Sequence, residues 1–113
     1  MRLNEFLNTV KANEFVSFAE TIAAISENYT YQPTAFKNGS VENTAGQNEG
    51  SCKIFAFAIL HELTQAQTLS LFGDYYRVDV LENPDATDHQ NIRQFMQHGW
   101  TGIVFENEAL KSL

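Results

Sequence analysis

The stretch Asn43 to Leu63, NTAGQNEGSCKIFAFAILHEL, comes nearest to a chemical motif. A polar segment bracketed by Gly46 and Gly50 runs straight into an apolar one. That is the shape of a loop presenting backbone N–H donors at a helix start, where anions bind. A nucleotide phosphate loop, however, needs the pattern GxxxxGK[ST]. Here only Gln47, Asn48 and Glu49 separate the glycines, and Lys53 does not adjoin Gly50, so a nucleotide loop is excluded. A weaker chemistry survives, in which free N–H groups beside Asn48, with Lys53 nearby, hold a carboxylate or a single phosphate. The simpler expectation is that Asn48 or Ser51 caps the helix and Glu49 complements its dipole.

Other local patterns fail on named residues. Cys52 sits near the same helix start, where a thiolate is favoured. Its neighbours Phe55, Ala56 and Ile59 share its face, which predicts a buried, inert thiol. His61-Glu62 opens like a zinc-protease HExxH motif, but the second histidine is replaced by Gln65. His89 and His98 would lie on opposed sides of one helix, so they do not form a metal site with His61. Asp74, Asp79, Glu82, Asp85 and Asp88 lack the spacing and central glycine of a calcium loop and read as a solvated acidic edge. No cofactor is implied.

What remains are polar stripes at helical spacing. Lys53, Phe57 and His61 form one; His89, Arg93 and Gln97 form another; Tyr75, Asp79 and Glu82 line a third. Each reads by default as a solvated face with i,i+4 pairs. Were two stripes to face one groove, Asn48, Lys53, His61, Tyr75, His89 and Arg93 would line a mixed polar cleft. That is the ligand-binding site the residues allow, and it predicts a cytoplasmic small-molecule-binding protein or minor enzyme.

The elements that would position these residues follow from periodicity. Leu3, Phe6, Leu7 and Val10 predict a helix over 3–12. Ser17 and Glu20 form a capping box ahead of a second helix ending near Asn28. Over Tyr29–Val41, threonines and aromatics, Pro33 and the Asn38-Gly39 pair predict a small β-hairpin. Residues 42–50 read as loop. Over 51–63 the apolar residues lie on most sides, which predicts a central buried helix including Ile59 and Leu60. Thr64 and Gln67 form the next capping box, before a helix predicted to run through Gly73 to Val80. Thr87 or Asp88 should cap the helix that turns Ile92, Phe95 and Met96 inward, and Gly99 should stop it. WTGIVF at 100–105 reads as a strand pairing with the hairpin. The fold class is α+β: a mainly helical single domain over 1–113, with about five helices and a small antiparallel sheet from the hairpin near 29–41 and the strand near 101–105.

The bulk numbers set outer bounds. With 113 residues, 43% of them hydrophobic, the chain is long enough to bury a core without disulfides or metal. Fourteen acidic residues against seven basic give a net charge of -7, and the cations are scattered singly. That excludes the basic stripe a nucleic-acid binder needs and disfavours an anionic membrane surface. No run is long enough to span a bilayer. The N-terminus lacks the apolar core of a secretory signal, so the general secretory route is not expected. The lone Cys52 rules out an intramolecular disulfide and suits a reducing compartment.

Three blocks carry a family resemblance: NTAGQNEGSCKIFAFA at 43–58, LFGDYYRVDVLENP at 71–84, and DHQNIRQFMQHGW at 88–100 followed by GIVF. With these the chain resembles the HopJ (HopPmaJ-like) type III effector family of Gram-negative bacteria over nearly its whole length. The resemblance implies a bacterial cytoplasmic protein secreted into host cells by a type III system, with a role in virulence. Together with the absence of any complete catalytic motif in the chain, it points to a non-enzymatic protein that acts through a protein partner, a host target or a bacterial chaperone. It assigns no catalytic residues.

Overall fold

A computed structural model of the chain describes residues 2–113; Met1, included in the predicted 1–113 domain, lies outside the described residues. Local signals set the first two helices. Helix α1 (Leu3–Lys11) buries Phe6 and Val10. Helix α2 (Phe18–Asn28) begins at the predicted capping box, in which Ser17 Oγ accepts from Glu20 N–H and Glu20 Oε1 accepts from Ser17 N–H, both at 3.0 Å. Such a cap is worth about 1 kcal/mol.

The β-structure corrects the expectation at one end and meets it at the other. The hairpin is made by β2 (Phe36–Asn38) and β3 (Val41–Asn43), not by 29–41 as a whole, and part of the predicted 42–50 loop is strand. Gly39, at φ 59°, makes the tight turn. Strand β4 (Ile103–Phe105) pairs antiparallel with β2, with Phe36 opposite Phe105, so the sheet order is β3-β2-β4. Strand β1 (Tyr29–Tyr31) leaves the hairpin and pairs with β5 (Leu110–Ser112) in a separate two-stranded sheet. Pro33 cannot donate to a ladder, so the chain breaks between β1 and β2 and each finds its own partner.

Helix α3 (Glu49–Leu60) is the predicted central helix. Its residues 54–58 are all buried, and Phe55 meets the rings of Phe36, Phe72, Phe95 and Trp100 with centroids 5.0–6.4 Å apart. Burying one such ring contributes about 2–3 kcal/mol. Ile59 and Leu60 depart from the expectation. They are 47% and 52% exposed, although Phe57 and Ala58 in the same turn are fully buried.

Helix α4 (Gln65–Ser70) starts at the second predicted capping box, with Thr64 Oγ1 accepting from Gln67 N–H at 3.1 Å. It does not continue to Val80. Gly73 adopts φ 61°, a left-handed conformation that ends the helix, and a π-helical turn follows over Tyr75–Val80. Gly73 lies against the Ser17–Phe18 backbone: a Cβ there would sit 2.6 Å from the Phe18 nitrogen. Arg77 ties the same linker, its Nη2 donating to Val16 O at 2.8 Å. Helix α5 (Gln90–His98) buries Ile92 and Phe95, whereas Met96, predicted inward, is exposed. Gly99 at φ 59° stops it as expected, and a 3-10 turn over Gly99–Gly102 leads into β4. The architecture is α+β, with five α-helices among the described residues.

Candidate functional site

The sequence-predicted polar residues divide between places. Asn48, Tyr75 and His89 share a cavity of about 320 Å³, together with Phe18, Gly50 and Ser51. The starts of α3 and α5 both open onto it. Asn48 and His89 immediately precede these helices, both in the left-handed conformation (φ 52° and 51°), and neither side chain caps its helix. The predicted caps are therefore corrected. The Asn48 amide donates instead to Asn43 Oδ1 at 2.7 Å, and Asp88 is held by Arg93. Uncapped first-turn N–H groups carry partial positive charge and favour an acidic group.

The π-helical turn supplies the opposite wall. The Tyr75 ring packs edge-on to Phe18 at 5.0 Å and tilted against His89 at 5.1 Å. One turn on, Asp79 Oδ2 lies 3.0 Å from His89 Nε2, and Asp88 Oδ2 lies 3.8 Å from the same nitrogen. These contacts fix the imidazole plane. The site thus combines backbone donors with a carboxylate-flanked histidine.

Lys53 and His61 lie elsewhere. Their stripe on α3 faces β1: Lys53 Nζ sits 4.8 Å from the Tyr31 ring centroid, and His61 Nε2 hydrogen-bonds the Tyr29 hydroxyl. The His61 ring also packs on Phe57 at 4.6 Å. Burial and then the nearby Lys11 charge lower the His61 pKa, and burial raises that of Tyr29. Arg93 has a third role. Its guanidinium donates to Asp88 O (2.6 Å), Asn83 O (3.0 Å), Pro84 O (3.3 Å) and Asp88 Oδ1 (2.7 Å). It fastens the 83–88 loop, and its hydrogen bond holds the Asp88 carboxyl below its usual pKa. A single cleft lined by all six residues does not form, because the rotation of α3 sends 53 and 61 toward β1. Cys52 is buried as expected, and burial pushes its thiol pKa up, away from a thiolate.

Sequence reasoning missed the amide network beneath the cavity. Asn38, Asn43 and Asn91 are all buried. Asn38 donates to Asn91 O (2.7 Å) and Oδ1 (3.1 Å), and Asn43 and Asn91 bond each other. Through Asn48, this ties the β2–β3 hairpin to both helix starts. Single asparagines at a predicted turn (Asn38), loop (Asn43) and helix start (Asn91) carry no signal of such pairing.

A groove of about 370 Å³ was missed as well. Ala56, Ile59 and Leu60 form one wall, and the segment Phe105–Leu110 forms the other. Its floor is apolar, and its rim carries the exposed Glu106 and Glu108.

Among the described residues no three His, Cys, Asp or Glu side chains are grouped as a metal site requires, and no helix is long and apolar enough to cross a membrane. A solved structure, described as that of the unknown function protein VPA0580, is similar along the whole chain: 48% identity, a TM-score of 0.98, covering 100% of this chain and 95% of that one. Curated proteins show no match. The family model for the HopJ type III effector protein matches residues 3–110. On that match, the chain belongs to the HopJ type III effector family.

Proposed function

We propose that this protein is an effector-type protein that acts by binding a partner protein, either a host target or a bacterial chaperone. It is made in the bacterial cytoplasm and delivered into host cells by a type III system. Family membership supports the delivery. The observation that carries the binding mode is the groove beside α3, where Ile59 and Leu60 remain about half exposed over an apolar floor. Adjacent exposed apolar residues beside a pocket, under a polar rim, resemble a protein-docking site more than an ordinary surface.

Two measurements test this reading. A reporter fused to the chain should be delivered into host cells above a secretion-deficient control. A photo-crosslinking residue at position 60 should then trap a discrete host or chaperone adduct, absent when it replaces the exposed Gln97 on α5. Equal adducts at both positions, or none, would remove the partner-binding reading.

A second reading is favoured by the convergence of two uncapped helix starts on the cavity of Asn48, Tyr75 and His89. There the protein binds a small acidic ligand through backbone donors. Titration with inorganic phosphate and small carboxylates, followed by amide chemical shifts, tests it. Shifts at 49–51 and 90–92 are expected; an unchanged spectrum ends the idea.

A further inference from the structure

We infer that the groove between α3 and the 105–110 segment receives a polypeptide segment whose large apolar side chains are flanked by lysine or arginine. This rests on the partner-binding reading and adds the chemistry of the partner.

The apolar part follows from the walls. Ala56, Ala109 and Leu110 are buried and form the floor, while Ile59 and Leu60 stand exposed above it. Strand pairing of Leu110 with Tyr31 holds one wall and the α3 backbone the other, so the groove is preformed. An anchor side chain entering it displaces water from both walls without reordering them.

The cationic part follows from the rim. Glu106 and Glu108 are exposed along the groove, and the segment 105–110 carries no cation. The last turn of α3 ends here, and a helix C-terminus carries partial negative charge. Lys111 is next along β5, but successive strand residues point to opposite faces, so it projects away from the Leu110 side. The whole chain has a net charge of -7, which extends the same field. A second copy is the wrong occupant. Groove-to-groove pairing would set Glu106 and Glu108 of each copy against like charges, which opposes association.

Three short synthetic peptides test this with the intact protein: one with leucine and lysine in amphipathic helical register, one with leucine and glutamate, one with serine and lysine. Binding is read by fluorescence anisotropy and mapped by amide chemical shifts. The leucine-lysine peptide should bind, with shifts confined to 56–60 and 105–110. Leu60→Glu should weaken it by roughly tenfold or more. Joint Glu106→Lys and Glu108→Lys substitution should weaken it and flatten its salt dependence. All three positions are exposed, so the fold should survive, and far-UV circular dichroism checks this. Groove binding by the leucine-glutamate peptide as strong as by the leucine-lysine one would overturn the cationic inference and leave partner binding standing. Equal binding by the serine-lysine peptide would overturn the apolar anchor. Shifts elsewhere, no binding, or concentration-dependent dimerisation through the groove would overturn the inference outright, while the crosslinking assay still decides the partner-binding reading.

Discussion

Asn43 and Asn91 bond each other in both directions. Asn43 Nδ2 donates to Asn91 Oδ1 at 3.1 Å, and Asn91 Nδ2 donates to Asn43 Oδ1 at 3.0 Å. The pair is buried, one member on β3 and the other in the first turn of α5. It joins the hairpin to a helix distant in sequence and sets the floor beneath the cavity of Asn48 and His89.

Asn91→Ala should therefore cost about 2 kcal/mol, because Asn43 and Asn38 lose a buried acceptor. A fall in melting temperature of roughly 5–10 °C should accompany it. A double-mutant cycle with Asn43→Ala should show coupling of about 0.5–3 kcal/mol. Strict additivity of the two losses would mean the reciprocal bonds contribute nothing jointly.

Gly73→Ala should destabilise by more than about 1 kcal/mol, since φ 61° and the nearby Phe18 nitrogen both oppose a Cβ. Gly46 provides the comparison. It has φ 85° but open space around it, so Gly46→Ala should cost only the conformational strain, about 1 kcal/mol. Urea denaturation of both variants measures the difference, and equal losses would show that the close approach to Ser17–Phe18 does not matter.

His61 predicts a pH dependence of stability. Its folded pKa is depressed below the ordinary 6.5, so the unfolded chain binds the proton more readily. The contribution is fully present above pH 6.5 and is lost as pH falls through the lower folded value. The difference in urea midpoint between about pH 7.5 and about pH 5, which bracket the unperturbed histidine range, should be smaller in His61→Gln than in the parent. Identical pH profiles would contradict it.

Arg93 holds the 83–88 loop through carbonyl oxygens as well as the Asp88 carboxylate. Arg93→Lys keeps the charge but loses the fork. Proteolytic nicking between 83 and 88 should accelerate, with global stability changed by less than about 1 kcal/mol. Unaltered nicking would show that the loop is held by other contacts.

Much of the helical layout was legible because its signals are local. The Ser17–Glu20 and Thr64–Gln67 capping boxes are written within one turn each, and both form as read. The apolar run of α3 could only be central, and of WTGIVF the end, Ile103–Phe105, joined the hairpin as expected, whereas Trp100–Gly102 form a 3-10 turn and not strand. Gly73 misled because sequence shows a glycine but not the sign of its φ. Strand β5 was missed because Leu110, Lys111 and Ser112 include no β-branched or aromatic residue to mark a strand.

By itself the sequence determined composition, charge, the capped helix starts and the family. Tertiary structure alone decided which side chains meet. The rotation of α3 about its axis turned Lys53 and His61 toward Tyr31 and Tyr29. The same helix start placed Asn48 beside Tyr75 and His89, and the last turn left Ile59 and Leu60 over the groove. Periodicity marks a stripe on a helix, but long-range packing chooses what the stripe faces.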